Sequence, residues 1–209
     1  ATDRAATYVS GSGSTTLVFS YVVQPGDATA DLDYASTAAL SLDGATARDA
    51  AGNDLDLALA APGAAGSLGA NKAIFIDTVV PAVTAVTSTN LDATYIPGDL
   101  ITITVAFTEA VTVTGTPTLQ LETGATDRLA TYASGSGTST LTFTYLVQPG
   151  DATADLEALS ANALALAGGT ITDAAGNAAA LALPALGTAG SLGGSKDIVI
   201  DGDAPGFID

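Results

Sequence analysis

The chain repeats itself at a spacing of 124 residues, and this repeat limits what it can fold into. Residues 1–85, aligned without a gap to residues 125–209, agree at about 50 of 85 positions. So little divergence is typical of array proteins, in which one folded unit is copied to gain length or valency. A single catalytic pocket needs no near-identical second copy, so the repeat favours a structural role. Three blocks return unchanged: Ala1–Arg4 as Ala125–Arg128, Gln24–Asp27 as Gln148–Asp151, and Asp49–Asn53 as Asp173–Asn177.

The charge of the chain narrows its possible partners. It carries 22 acidic and 5 basic residues, a formal net charge of −17. This negative field repels nucleic acid and anionic membranes, so we expect neither as a partner. Nearly all the acids are Asp, which favours turns and the ligation of hard cations such as calcium.

Catalysis is also poorly supported by the composition. Cys, His, Met and Trp are absent, which removes thiol and imidazole nucleophile–base pairs, imidazole metal sites and disulfides. Paired carboxylates can hydrolyse glycosidic bonds, but such sites usually carry aromatic sugar platforms, and most Tyr and Phe here fall on inward strand faces. We expect no catalytic residue and no enzymatic activity. No signal peptide is visible, and no segment is apolar enough for membrane insertion.

Alternation of apolar and Thr residues with period two indicates β-strands throughout. It is clearest at Leu100–Phe107 and around Leu141–Val147, which matches Leu17–Val23 of the first copy. Residues 158–166 are rich in Ala and Leu and predict a short helix or an irregular crossover. Further strands are predicted at Val83–Thr87, Val111–Thr114, Thr118–Glu122, Leu129–Ser134, Leu181–Leu183 and Asp197–Ile200.

Short turn signals separate these strands. Gly11–Gly13 and Gly135–Gly137 indicate hairpin loops, and Pro25-Gly26 and Pro149-Gly150 indicate type II turns. Strands linked by short polar turns, with little helix, predict an all-β fold of antiparallel β-sandwiches.

The position of the linkers suggests that the two copies are unequal. Asp77–Pro81 and Asp201–Pro205 contain Pro and precede new strands, so each is interpreted as a linker. Residues 82–209 then form a complete unit with a trailing linker, and residues 1–81 form an incomplete one. The incomplete unit lacks the opening three strands, the counterparts of residues 82–124, and would expose unpaired strand edges.

Three explanations for the incomplete unit remain open. The chain is a piece of a longer array, or residues 82–124 complete the first unit in permuted order, or a neighbouring molecule supplies the missing strands. The expected partners are therefore other copies of the chain or adjacent repeats of a longer one.

A set of motifs spread along the chain belongs together: Tyr95–Asp99, Ile101–Val111, Thr116–Glu122, Thr131-Tyr132, Gly135–Gly137, Phe143–Tyr145, Asp173–Asn177 and Ile198–Asp201. Together they resemble the bacterial immunoglobulin-like tandem repeats of giant secreted surface proteins and adhesins. The resemblance covers essentially the whole chain. It implies immunoglobulin-like sandwiches, an extracellular or cell-surface location, and calcium at domain junctions.

Carboxylates near the linkers are the candidate metal ligands. Asp77 ends one unit and Asp201 with Asp203 ends the next, where turn carbonyls could complete an oxygen-rich calcium site. Asp49 with Asn53, and Asp173 with Asn177, flank a turn in each copy and could add side-chain oxygens. The alternative for these two pairs is purely structural, with Asp capping the turn and Gly in the left-handed conformation.

The sequence therefore predicts an extracellular structural protein, whose tandem immunoglobulin-like repeats form a cell-surface stalk or a self-assembling filament. The alternative is a calcium-dependent adhesin module that binds carbohydrate or a surface. The main hairpin loops agree between the copies, which favours the structural prediction, because a binding loop would be expected to differ.

Overall fold

The computed structural model describes residues 3–203, and the chain divides into two compact units, residues 1–79 and 80–209. This division falls two residues before the boundary expected after Pro81. The fold is all-β with predominantly antiparallel pairing in sandwich-like sheets, so the predicted fold class is confirmed. No helix among residues 3–203 is long and apolar enough to cross a membrane.

The secondary structure of the described residues consists of short strands, one long strand and two helices of one turn each. Asp201 ends the last strand, and residues 204 and 205 of the predicted second linker lie outside the described part. The elements are β1 (Thr7–Ser10), β2 (Val18–Ser20), α1 (Leu68–Asn71), β3 (Val83–Ser88), β4 (Ala93–Tyr95), β5 (Leu100–Thr114), β6 (Thr118–Glu122), β7 (Arg128–Ser134), β8 (Thr138–Leu146), β9 (Ala152–Thr153), β10 (Glu157–Ala158), β11 (Leu164–Ala165), β12 (Thr170–Thr172), α2 (Leu192–Ser195) and β13 (Ile198–Asp201).

The second unit is built around a long curled sheet. Its strands follow the order β10-β6-β7-β8-β5-β12, with β3 also on β5 and β11 also on β6. Every pairing in this sheet is antiparallel. A smaller sheet has the order β4-β13-β9, and its β4–β13 pair is parallel. The register between β5 and β8 shifts after Ala106, so the 15-residue β5 meets different neighbours along its length.

The core of the second unit follows from strand alternation. Ile101, Ile103 and Val105 of β5 are fully buried, and they pair in register with Tyr145, Phe143 and Leu141 of β8. The intervening Thr residues are only half-buried and occupy the other face. Burying one large aliphatic or aromatic side chain contributes about 1.5–3 kcal/mol, so this cluster supplies much of the unit's stability.

The first unit has no such core. Its strands β1 and β2 form an antiparallel ribbon, and most of its other residues are in turns or irregular segments. Within residues 3–79, Ile76 is the only buried hydrophobic residue, and it is still 8% exposed. Phe19 is 40% exposed, whereas its counterpart Phe143 in the second unit is 0% exposed. Among residues 3–79, no strand corresponds to β5 and covers this face.

Some sequence-based elements differ in the structure. Leu181–Leu183 is not a strand, and Pro184, which has no N–H to donate, follows it directly. Val111–Thr114 is not a separate strand but the end of β5. Residues 158–166 form the irregular crossover rather than a helix, and the short β10 and β11 at its two ends pair with β6. Of Leu17–Val23, only Val18–Ser20 is a strand, and among the described residues it has one strand neighbour, β1, where β8 has two.

Matched substitutions test the difference between the two units. We expect Phe143→Ala to lower the free energy of unfolding of the second unit by about 3–5 kcal/mol, because it leaves a cavity in a close-packed core. Phe19→Ala should cost less than about 1 kcal/mol, since this side chain is already half in water. Amide hydrogen exchange in β5 and in β2 reports the two units separately.

The control for this pair is Thr142→Ala, which lies beside Phe143 on the opposite, half-buried face and should change exchange little. Equal losses for Phe143→Ala and Phe19→Ala would contradict the open face of the first unit.

Candidate functional site

A buried carboxylate, Asp151, joins two strands and a turn in the second unit. It directly follows the Pro149-Gly150 turn and is 1% exposed. Its Oδ1 accepts a hydrogen bond from Nε of Arg128 at 2.7 Å. Its Oδ2 accepts from the hydroxyl of Tyr145 at 2.7 Å and from the backbone N–H of Gln148 at 2.9 Å. The carboxylate thus ties the start of β7 to the end of β8.

The first unit contains the same network around Asp27. Nε of Arg4 donates to Oδ1 at 2.9 Å, the backbone N–H of Gln24 donates to Oδ2 at 2.7 Å, and the hydroxyl of Tyr21 also donates to Oδ2. The hydrogen bond from Tyr21 and then those from the other two donors lower the pKa of Asp27 to about 2. Two copies of one polar network at equivalent positions indicate a structural role in each unit.

The electrostatics of Asp151 support this role. Burial raises the pKa of its carboxyl, but the hydrogen bonds from its three donors outweigh burial and hold the pKa below the ordinary value. Burial and the hydrogen bond to Asp151 raise the pKa of Tyr145 well above its usual range. The network therefore consists of a carboxylate, a guanidinium and a neutral phenol, all paired, with no group poised to exchange a proton near neutral pH.

The sequence predicted the Pro-Gly turns that precede Asp27 and Asp151 but not the Arg and Tyr partners of these two residues. The signal was present in the repeat. Of the five basic residues, Arg4 and Lys72 return 124 positions later as Arg128 and Lys196, whereas Arg48 is replaced by Thr172. In a chain so poor in basic residues, a repeated Arg indicates a fixed acidic partner.

The predicted ligands Asp49 and Asn53 form a closed turn. Oδ1 of Asp49 accepts from the backbone N–H groups of Ala51 at 2.9 Å and Asn53 at 2.8 Å, and its Oδ2 accepts from Nδ2 of Asn53 at 2.8 Å. Gly52 has a positive φ of 90°, which a residue with a side chain rarely adopts. This geometry is the structural turn that the sequence offered as the alternative to metal binding.

Asp173 and Asn177 repeat that turn in a more buried setting. The backbone N–H and Nδ2 of Asn177 donate to the carboxylate of Asp173 at 2.8 and 2.7 Å. Burial raises the pKa of Asp173, but the hydrogen bonds from Asn177 and the turn backbone outweigh it and lower the pKa. A carboxylate oxygen of Glu109, a residue of β5, lies within 4.8 Å of one of Asp173. Sequence reasoning missed Glu109, because β5 brings it there from 64 residues away.

Two of the three linker carboxylates, Asp77 and Asp201, occupy similar local turns. In the first unit, half-buried Asp77 accepts a hydrogen bond at Oδ1 from the backbone N–H of Val79 at 2.9 Å. At the equivalent place in the second unit, Oδ1 of Asp201 accepts from the N–H of Asp203 at 3.3 Å. Asp201 and Asp203 are exposed. Asx turns of this kind need no metal to form.

A further acidic group surrounds Asp155. The pKa of Asp155 is raised by loss of hydration at its carboxyl and by the negative charges of Asp197, Glu157 and Asp92. A hydrogen bond from the backbone of Ile198 lowers this pKa but does not outweigh the other causes. Nζ of Lys196 lies 3.8 Å from Oδ1 of Asp92 and compensates part of this charge. The group therefore carries excess negative charge at neutral pH.

Comparison of the chain with protein-family models, with curated proteins and with solved structures finds no match in any of the three. The resemblance to immunoglobulin-like surface repeats therefore stays a prediction from the sequence. The site is interpreted from its own geometry alone.

Two neighbouring aspartates should respond oppositely to the same substitution. Asp151→Asn should lower the free energy of unfolding of the second unit at neutral pH by about 1–3 kcal/mol, the usual worth of hydrogen bonds to a charged group. Asp155→Asn should raise it by about 0.2–1 kcal/mol, the range for exposed charge pairs, because it removes a repelled charge. Denaturant unfolding of each variant at pH 7 measures both.

The pH dependence of these effects follows from the pKa shifts. The pKa of Asp151 is lowered by folding, so its stabilisation is present above the ordinary value of about 4 and is lost as the pH falls through the folded value. The pKa of Asp155 is raised by folding, so the stability that its charge costs is regained as the pH falls through that raised value.

The exposed surface pair Arg48–Asp54 supplies the control, since Asp54→Asn should change stability by less than about 0.5 kcal/mol. Two substitutions with the same sign would contradict this assignment.

Proposed function

We propose that the protein is an extracellular structural protein whose tandem immunoglobulin-like repeats form part of a cell-surface stalk or a self-assembling filament. One observation carries the proposal: the two units repeat the same internal bonding. The Arg–Asp–Tyr network, the Asp-Ala-Ala-Gly-Asn turn and the Tyr–Phe edge contact each occur in both units. A chain that repeats the same local bonding in successive units is typical of an array of one fold.

The charge of the chain suits this role. A net charge of −17 with few basic residues keeps neighbouring repeats soluble and mutually repelling. Stability within a repeat then has to come from the core and from shielded polar networks such as that of Asp151. These properties support a spacer or filament element that gains length by repetition.

The proposal includes calcium as a stiffening ion. Asp173 and Glu109 are two carboxylates of the second unit whose oxygens lie within 4.8 Å of each other. Calcium prefers hard oxygen ligands of this kind. The carboxylate of Asp173 already accepts hydrogen bonds from Asn177, and calcium would use its remaining lone pairs. Bound there, calcium would hold β5 to the turn that follows β12.

Chelation tests the calcium part of the proposal. At a free calcium concentration of 100 times Kd, binding adds about 2.7 kcal/mol to stability, which for a chain of this size raises Tm by roughly 5–10 °C. Thermal unfolding followed by circular dichroism in excess calcium and in excess chelator measures the difference.

Glu109→Gln should abolish the calcium-dependent rise in Tm while leaving the Asp173 turn intact. Asp203→Asn, at an exposed position, is the matched control and should preserve the rise. An identical Tm in calcium and in chelator would contradict the calcium part of the proposal but not the stalk or filament.

Electron microscopy of native material tests the structural role itself. A self-assembling filament predicts ordered helical fibres with one copy of the protein in the repeating unit. A covalent stalk predicts thin beaded strings with beads of about 120 residues each. Compact isolated particles on native cells, with no strings or fibres, would contradict both forms of the proposal.

A further inference from the structure

The ribbon of the first unit is open at both edges. Among the described residues β2 has one strand neighbour, β1, and β1 has only β2. The equivalent strands of the second unit, β7 and β8, are each paired on both sides: β6 lies beyond β7 and β5 beyond β8. The first unit therefore presents two free edges where the second unit presents none in this hairpin.

The apolar residues left open are those that β5 covers in the second unit. Ile101, Ile103 and Val105 pair with Tyr145, Phe143 and Leu141, and all six are at most 2% exposed. The first-unit counterparts of those β8 residues are Tyr21, Phe19 and Leu17. Leu17 is 39% and Phe19 is 40% exposed. The repeat itself thus shows what kind of segment covers such a face.

The open face already has the geometry of the covered one. Tyr8 and Phe19 meet edge to face at 5.8 Å and 71°, against 6.0 Å and 72° for Tyr132 and Phe143. The backbone N–H of Leu32 donates to the carbonyl of Ile74 at 2.8 Å, as the equivalent Leu156 does to Ile198 at 2.8 Å. A site preorganised in this way loses little conformational entropy when a strand is added.

Residues 100–122 are already paired within the second unit. Moving them to the open face would expose Ile101 and Ile103, which are 0% exposed where they are. We therefore expect the open face to bind another segment with the same pattern rather than this one.

We propose that the open face of the first unit binds a β5–β6 segment of this repeat type. The partner has the alternation of residues 100–122, with an apolar residue at every second position and Thr between. Its longer strand pairs with β2, its shorter strand pairs with β1, and its apolar face covers Leu17 and Phe19. The inference rests on the proposed structural role and names the partner of the repeat.

A synthetic peptide of residues 97–123, labelled with a fluorophore, tests the inference on the full chain. We expect saturable 1:1 binding by fluorescence anisotropy. We also expect at least tenfold slower amide exchange in residues 16–22. A peptide with Ile103→Asp and Val105→Asp is the matched control and should not bind, because its apolar face is broken.

Substitution in the chain locates the bound peptide. Phe19→Asp should abolish binding, and unchanged amide exchange across β7 and β8 would show that the second unit is still folded. Binding that survives Phe19→Asp would overturn the inference, because the peptide would then occupy another surface. Absence of saturable binding at 100-fold molar excess would overturn it too.

Self-association is the competing occupant. If the chain alone forms a dimer by sedimentation velocity, and Phe19→Asp but not the peptide dissolves it, a second copy covers this face and the inference is wrong. The test is separable from that of the proposed function. If the peptide binds but native material contains no strings or fibres, the binding face of the first unit is supported and the stalk or filament is contradicted.

Discussion

The second unit depends on one strand, β5. Over its 15 residues it pairs with β3, β8 and β12, and its alternate residues fill the centre of the core. Removing a strand of this kind exposes the apolar faces of its neighbours and frees the backbone donors and acceptors at their edges. The first unit shows that state directly, because it has the hairpin, the turns and the polar network but no β5.

Comparison of the two units separates local from long-range causes of structure. The Arg–Asp–Tyr network, the Tyr–Phe contact and the Asp–Asn turn form in both units with nearly equal distances, so they need only residues that lie within about 25 positions of each other. Burial of Phe143 needs Ile103, which lies 40 positions earlier and has no counterpart in the first unit. Local hydrogen bonds therefore shape the hairpin, and the long-range strand decides whether it encloses a core.

The residues of the candidate site also separate into those set by local contacts and those set by long-range contacts. Asp49, Asn53, Asp173 and Asn177 could be identified from sequence because Asp-Ala-Ala-Gly-Asn is a contiguous turn motif with a required glycine. Glu109 could not, since only β5 brings it near Asp173. Part of the role of Asp151 could be predicted from the sequence, because the turn before it is a local motif. Its pairing with Arg128 and Tyr145 could not, because it depends on contact between two strands.

The sequence by itself determined the repeat, the all-β class and six of the eleven strands described in the second unit, because period-two alternation and Pro or Gly turns act over a few residues. These six are the strands of four residues or more, and the strands of two or three residues were not predicted. It also indicated that residues 82–124 have no counterpart in the first unit. Only the tertiary structure decided which strands are neighbours and that β5 runs on through Thr114 as one strand. Strand order and side-chain burial depend on contacts between residues far apart in the chain, and alternation along one strand does not specify its partners.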